Sequence, residues 1–239
     1  MAKLEVHPLM RTIVEYPDAD LPRLVYADWL DEQEDPKLAI LAEYIRLSIE
    51  AETMPMRSAE RKPFDRRRYE LLRLDRDTLC LPTPGWTHDA FTMRRGFPER
   101  LHCSLKRFAE GGAAVLESVP ITSVAFVNSR DPSGDARRAP AAFARPEVIR
   151  LRGLFVVAPL TAQAFAALAS NPNATNFREL DFQLTSGFND EAAAALAGGA
   201  ATFVNLTKLE LWDARPSSTA RTILRRAFGN RVTMNGQPA

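Results

Sequence analysis

In the stretch LVYADWL (24–30), a carboxylate occupies a position that a helix would turn inward. At 100° per residue, the arc that carries Leu21, Leu24 and Val25 also carries Asp28 at its centre. Two chemistries fit an acid aimed at a core: proton transfer by a carboxyl tuned by burial, or a structural carboxylate clamped by a cation. Arg46, on the flank of the next amphipathic stretch, is the natural partner for a clamp, because one guanidinium can meet a carboxylate through two hydrogen bonds. The clamp is the simpler reading. It predicts that Asp28→Ala loosens the N-terminal segment.

Nucleophilic chemistry has little to draw on. The histidines are His7, His88 and His102, and the cysteines are Cys80 and Cys103. His102 and Cys103 are neighbours on an expected strand, where adjacent side chains point to opposite faces, so they cannot form a dyad with each other. Cys103 paired with His88 leaves a cysteine-dependent enzyme as one alternative, set against a cysteine that simply packs. No HExxH, P-loop, GxGxxG or EF-hand loop is present. The two cysteines lie in segments of different character without CxxC spacing, so neither a disulfide framework nor a metal site is expected. No catalytic residue, metal or cofactor is assigned.

The elements that must position these groups fall into three regions. Residues 1–50 carry eleven acids against five bases, a net of −6, whereas residues 57–76 carry eight bases against four acids, a net of +4. The overall charge of +1 hides this contrast. Region 1–50 reads as a helical hairpin, with helices over 21–32 and 36–50. Pro22 sits in the first turn of one, and Asp35-Pro36 opens the other as N-cap and first residue. Leu38, Leu41, Ala42, Ile45 and Ile49 share a face. Tyr26, Trp29 and Tyr44 are expected as core or hairpin contacts. Region 51–95 holds one charged helix, roughly 57–80, then a turn-rich loop. Its arginines either grip phosphates or form a salt-bridged face with the interleaved acids.

Region 96–239 repeats the strand pattern apolar-x-x-apolar-x-apolar. It occurs as ITSVAF (121–126), PEVIRL (146–151), FRELDF (177–182) and LTKLEL (206–211). Spacings of 25, 31 and 29 residues, with alanine-rich helical stretches at 161–170 and 190–197, point to strand-plus-helix units stacked in register. Segment 128–145 reads as an insertion after a first repeat that lacks a helix, 217–228 as a capping helix, and Leu101-His102-Cys103 as an extra strand at the start. Residues between the apolar positions face away from the core. Stacking then aligns Ala125, Arg150, Asp181 and Glu210 in one row. Val127, Arg152, Gln183 and Trp212 form a second, and Ser123, Val148, Glu179 and Lys208 a third. Arg150–Asp181 and Glu179–Lys208 would be cross-strand pairs. Trp212 is either an interface anchor or a residue buried beneath the C-terminal cap.

PRLVYADWLDEQEDP followed by AEYIRL resembles the bacterial repeat-companion domain, a small N-terminal module that commonly precedes leucine-rich repeats of the ribonuclease-inhibitor type. FTMRRGFPERL (91–101) is similar to the link between that module and its repeats. The repeats depart from the family pattern in lacking the asparagine usual after the strand, Asn128 apart. The resemblance implies an interaction scaffold and carries over no site.

The expectation is therefore an α/β chain: an N-terminal helical module followed by a short, irregular leucine-rich-repeat-like solenoid with a parallel sheet. Its expected function is non-enzymatic binding of another protein through the concave repeat face, by Arg150, Arg152, Asp181, Gln183, Glu210 and Trp212. The chain would act alone or as a subunit of a larger complex. Nucleic-acid binding through 57–76 and the arginines of 130–152 is the other alternative. No span of roughly 18 apolar residues and no leader-like apolar run is present, so a cytoplasmic location without a membrane partner is expected.

Overall fold

The computed structural model describes residues 7–74, 85–127, 131–183, 188–212 and 217–238. The chain divides into two compact units, 1–100 with 114–121, and 101–113 with 122–239.

In the first unit, helices α1 (Pro8–Glu15), α2 (Leu21–Asp31), α3 (Pro36–Glu52) and α4 (Lys62–Leu74) precede strands β1 (Phe91–Arg94) and β2 (Phe97–Cys103). The helix starts follow local chemistry. The Asp35 side chain accepts the Lys37 N–H, and Pro36 supplies a first residue with no N–H to satisfy. Helix α1, whose start is capped by the His7 ring, was not expected from the sequence. Arg95 and Gly96 form a two-residue turn between β1 and β2 with φ of 47° and 82°. Gly96 is required twice over, because a Cβ there would also lie 2.7 Å from Cα and Cγ1 of Ile45.

In the second unit, β3 (Ser123–Phe126), β4 (Gly153–Val156), β5 (Glu179–Gln183), β6 (Lys208–Trp212) and β7 (Val232–Met234) pair in parallel and in chain order, and β8 (Gln237–Pro238) closes antiparallel. Helix α5 (Leu105–Ser118) follows β2, with residues 105–113 in this unit and 114–118 in the first. Helices α6 (Pro132–Phe143), α7 (Ala162–Ala169), α8 (Asp190–Gly198) and α9 (Ser218–Phe228) alternate with the later strands. This is an α/β fold with a mostly parallel sheet. Val124, Leu154, Leu180, Leu209 and Val232 form one buried row across the sheet, at intervals of 30, 26, 29 and 23 residues. Phe126, Val156, Phe182, Leu211 and Met234 form the next. Helix side chains complete the core: the ring of Phe165 meets that of Phe182 edge-on at 5.1 Å.

Three expectations change. The strand expected over 146–151 is a 3₁₀ turn at Pro146–Arg150, and β4 begins at Gly153. The reason is a second match to the same pattern, Leu151-x-x-Leu154-x-Val156, whose alignment with Leu180 and Phe182 buries both rows. The first repeat does have a helix, α6, within the segment read as an insertion. Asp131 accepts the Gly134 N–H at 2.8 Å and Pro132 starts the helix. Finally, 232–234 is a strand that the repeated pattern does not cover, being only three residues long.

Side-chain amides join successive repeats. Asn171 Nδ2 donates to the carbonyls of Phe143 (2.7 Å) and Arg145 (3.0 Å), Asn176 to Ile149 (2.7 Å) and Asn205 to Thr175 (2.9 Å). Asn176 and Asn205 both stand four residues before the central leucine of their strands, in NFREL and NLTKL. That recurrence was a legible repeat signal, on the opposite side of the strand from the asparagine of the family pattern.

Candidate functional site

Asp28 does not face the core. Helix α2 buries Arg23, Tyr26, Ala27 and Leu30, and the arc of Leu21, Val25 and Asp28 is exposed. The expected clamp forms on the surface: Arg46 reaches Asp28 Oδ1 at 2.6 Å through one nitrogen and Asp31 Oδ2 at 2.7 Å through another. The Asp28 side chain is 67 % exposed, so it stands on the surface and not in the core. Tyr26 and Tyr44 are buried, as expected, and Tyr26 stacks with Trp29.

Among the described residues, the most deeply buried charge of this unit is Arg23. Its side chain is fully buried, with Nη2 donating to Glu99 Oε1 at 2.6 Å and Nη1 to the Ala19 carbonyl at 3.2 Å. Arg95 meets the same carboxylate at 2.9 Å and also donates to the carbonyls of Pro17 (2.7 Å) and Asp18 (2.8 Å). One carboxylate thus joins two guanidiniums, tying the α1–α2 turn and α2 to the β1–β2 hairpin. Burial pushes the Glu99 carboxyl up from its ordinary range, against the pull of Arg95, Arg23 and Arg94. Burial likewise pushes Arg23 down, opposed by Glu99. The signal was present in FPERLHC, where Glu99 shares the period-two stripe of Phe97, Leu101 and Cys103. The arrangement is a structural latch; among the described residues no nucleophile joins it.

The acidic hairpin and the basic helix meet. Arg67 makes a two-pronged contact with Glu43 at 2.7 and 2.9 Å, an interaction that holds its guanidinium above its usual range. Within α4, Arg68 pairs with Asp65 and Arg66 with Glu70, and Arg61, just before the helix, also pairs with Asp65. These contacts match the salt-bridged reading of the segment. Arg76 and the end of the expected helix lie outside the described residues, as do Cys80, Asn128 and Arg130.

In the second unit Cys103 is buried, and burial pushes its thiol up to about 12. A thiol so held is protonated at neutral pH and serves as packing.

The outward face of the sheet, on which Ala125 and Gly153 are buried, Phe155, Asp181, Glu210 and Thr233 half-buried, and Glu179, Gln183, Lys208 and Trp212 exposed, differs from the expected rows. Its central row is Ala125, Phe155, Asp181, Glu210 and Thr233, and below it run Ser123, Gly153, Glu179 and Lys208. Gln183 stands opposite Trp212, as expected. Arg150 and Arg152 leave these rows: Arg150 ends the 3₁₀ turn, and Arg152 precedes β4, its backbone bridging Thr122 and Glu179. The five-residue shift to the second pattern match is odd, so it exchanges inward and outward positions. The Arg150–Asp181 pair is therefore replaced by a Phe155–Asp181 neighbour relationship, whereas Glu179 opposite Lys208 is retained. Lys208 also contacts Glu210 at 3.0 Å, and that hydrogen bond raises its pKa. Trp212 is 36 % exposed, and its ring edge lies 3.5 Å from where a Cβ on Gly236 would stand. The β7–β8 turn thus approaches one edge of the indole, and about a third of the residue stays open to solvent, between the two expectations.

No protein-family model matches this chain, and no curated protein or solved structure matches it. Among the described residues, no helix is long and apolar enough to cross a membrane, and no group of three or more His, Cys, Asp or Glu side chains could hold a metal ion.

Proposed function

We propose that the chain is a non-enzymatic protein-interaction module whose outward sheet face binds a partner protein. The observation that carries this is the pairing of Asp181 with Glu210. They are register neighbours on adjacent strands about 4.8 Å apart, where like charges oppose folding rather than help it. Glu179 adds a third acid to the face, and Lys208, in contact with Glu210 at 3.0 Å, also lies within the electrostatic reach of Glu179 and Asp181. Beside them Gln183 and Trp212 provide an exposed polar and aromatic pair. A partner presenting basic side chains and one apolar anchor is complementary to this surface, with Trp212 the residue best suited to a binding hot spot. Arg150 and Arg152 flank the face at the strand entrances and would contribute from its margin.

The resemblance of 22–47 to the repeat-companion module supports the same reading, as does the series of strand-plus-helix repeats. A cytoplasmic location, alone or within a larger complex, accords with it. Nucleic-acid binding through 57–76 gains less support, since Arg61, Arg66, Arg67 and Arg68 are already engaged by acids.

The test is an affinity pull-down from host lysate, with and without nuclease, comparing the parent with a Trp212→Ala/Gln183→Arg variant whose circular dichroism is unchanged. A protein partner that survives nuclease and disappears with the variant supports the reading. Protein capture that the variant leaves intact, or recovery that depends wholly on nucleic acid, overturns it.

A further inference from the structure

The apolar face that the sequence directs inward in α2 is the face that the first unit leaves outside. Leu21 is 71 % exposed and Val25 42 %, with Leu24 partly covered between them. The unit's interior needs nothing from these residues, since Arg23, Tyr26, Ala27 and Leu30 already fill the buried side of the helix. Leu21, Leu24 and Val25 fall at the i, i+3, i+4 spacing by which one helix anchors another. Scattered exposed apolar residues mean little, but three on one helical stripe make a contiguous patch.

We infer that this face of α2 docks a basic amphipathic helix of a partner protein. Charge selects that occupant. One and two turns beyond Val25 on the same stripe stand Asp28 and Glu32, both exposed, and exposed Glu15 and Asp18 precede the helix. Arg46 gathers Asp28 and Asp31 without hiding them, as the Asp28 side chain remains 67 % exposed. A second copy of this chain is a poor occupant. Packed antiparallel about Val25, two α2 helices would oppose Glu32 to Asp18, and packed parallel they would oppose Asp28 to Asp28. An anionic lipid surface meets the same repulsion. A helix with leucines on one side and lysines or arginines flanking them satisfies both the apolar stripe and its acidic end. This surface is independent of the sheet face and stands whether or not that proposal holds.

The probe is a fluorescent synthetic helix of about 18 residues, roughly five turns, built from leucine and lysine, with a leucine and glutamate helix of the same pattern as its counterpart. Fluorescence anisotropy is measured with the full chain and with a Leu21→Ser/Val25→Ser variant whose urea melt matches the parent. Saturable binding of the lysine helix, weakened roughly tenfold or more in the variant and absent for the glutamate helix, is the expected result. Equal binding to parent and variant, no binding by the parent, or equal binding of the glutamate helix overturns the inference. So does sedimentation showing a parent dimer that the variant abolishes, or vesicle binding by the parent that the variant loses. In those cases the face belongs to a second copy or to a membrane.

Discussion

Arg23 and Glu99 lie 76 positions apart in the chain and meet at 2.6 Å with almost no solvent access to either side chain. The contact ties α2 to β2 across a long separation in the chain. It also sets the rotation of α2, because a helix that buries Arg23 must expose Asp28, which lies on another arc of the helix.

Removing that carboxylate should cost far more than its charge alone. Glu99→Ala leaves the fully buried Arg23 with the Ala19 carbonyl as its remaining hydrogen-bond partner and removes one of Arg95's acids. Breaking a buried pair from one side typically costs about 3–5 kcal/mol. Urea denaturation should show that loss for Glu99→Ala; a variant within about 1 kcal/mol of the parent would contradict the latch.

Asp28→Ala should be mild by comparison. Its pair with Arg46 is open to solvent, and Asp31 keeps the guanidinium engaged. The expected loss is no more than about 1 kcal/mol, read in the same melt. This reverses the expectation from the sequence, in which the residue was a core clamp.

Two glycine substitutions should move stability in opposite directions. Gly96→Ala places a Cβ against Ile45 at φ 82° and should destabilise by more than about 1 kcal/mol. At Gly198, the last residue of α8, an added Cβ meets nothing within 4 Å. Gly198→Ala should gain about 0.4–1 kcal/mol through the lower entropy of the unfolded chain. Thermal melts of the two variants side by side check both signs.

The Cys103 thiol should resist alkylation in the folded protein. Burial pushes its pKa up to about 12, so at pH 8 the reactive thiolate is scarce, and reactivity should rise only as pH approaches that value or the chain unfolds. Mass spectrometry after iodoacetamide treatment, with and without urea, reads this directly. Rapid modification in native buffer at pH 8 would restore the case for a cysteine nucleophile.

The asparagine contacts between repeats should divide by burial. Asn171→Ala leaves the Phe143 and Arg145 carbonyls without their amide partner at a buried position and should cost about 1–3 kcal/mol. Asn205→Ala exposes the Thr175 carbonyl to water and should cost less. Equal losses in urea melts would show that burial does not govern these contacts.

Local chemistry determined much of this chain. Asp35-Pro36, Thr161 and Ser217 mark helix starts because capping is decided within a few residues, and their side chains accept the N–H groups expected of caps. The α/β class and the parallel stacking followed from apolar periodicity, which directly records burial on one side of a strand. Tertiary structure decided what local pattern left degenerate. Residues 146–156 contain two matches to one strand pattern, and only alignment against Leu180 chooses between them, moving Arg150 and Arg152 out of the face and Phe155 into it. Helix α2 has apolar residues on two arcs, so its sequence permits either rotation. Glu99, contributed by β2, supplies the buried counter-charge that turns Arg23 inward and leaves Leu21, Val25 and Asp28 outside. A partner so distant in sequence leaves no mark on the periodicity of the helix itself.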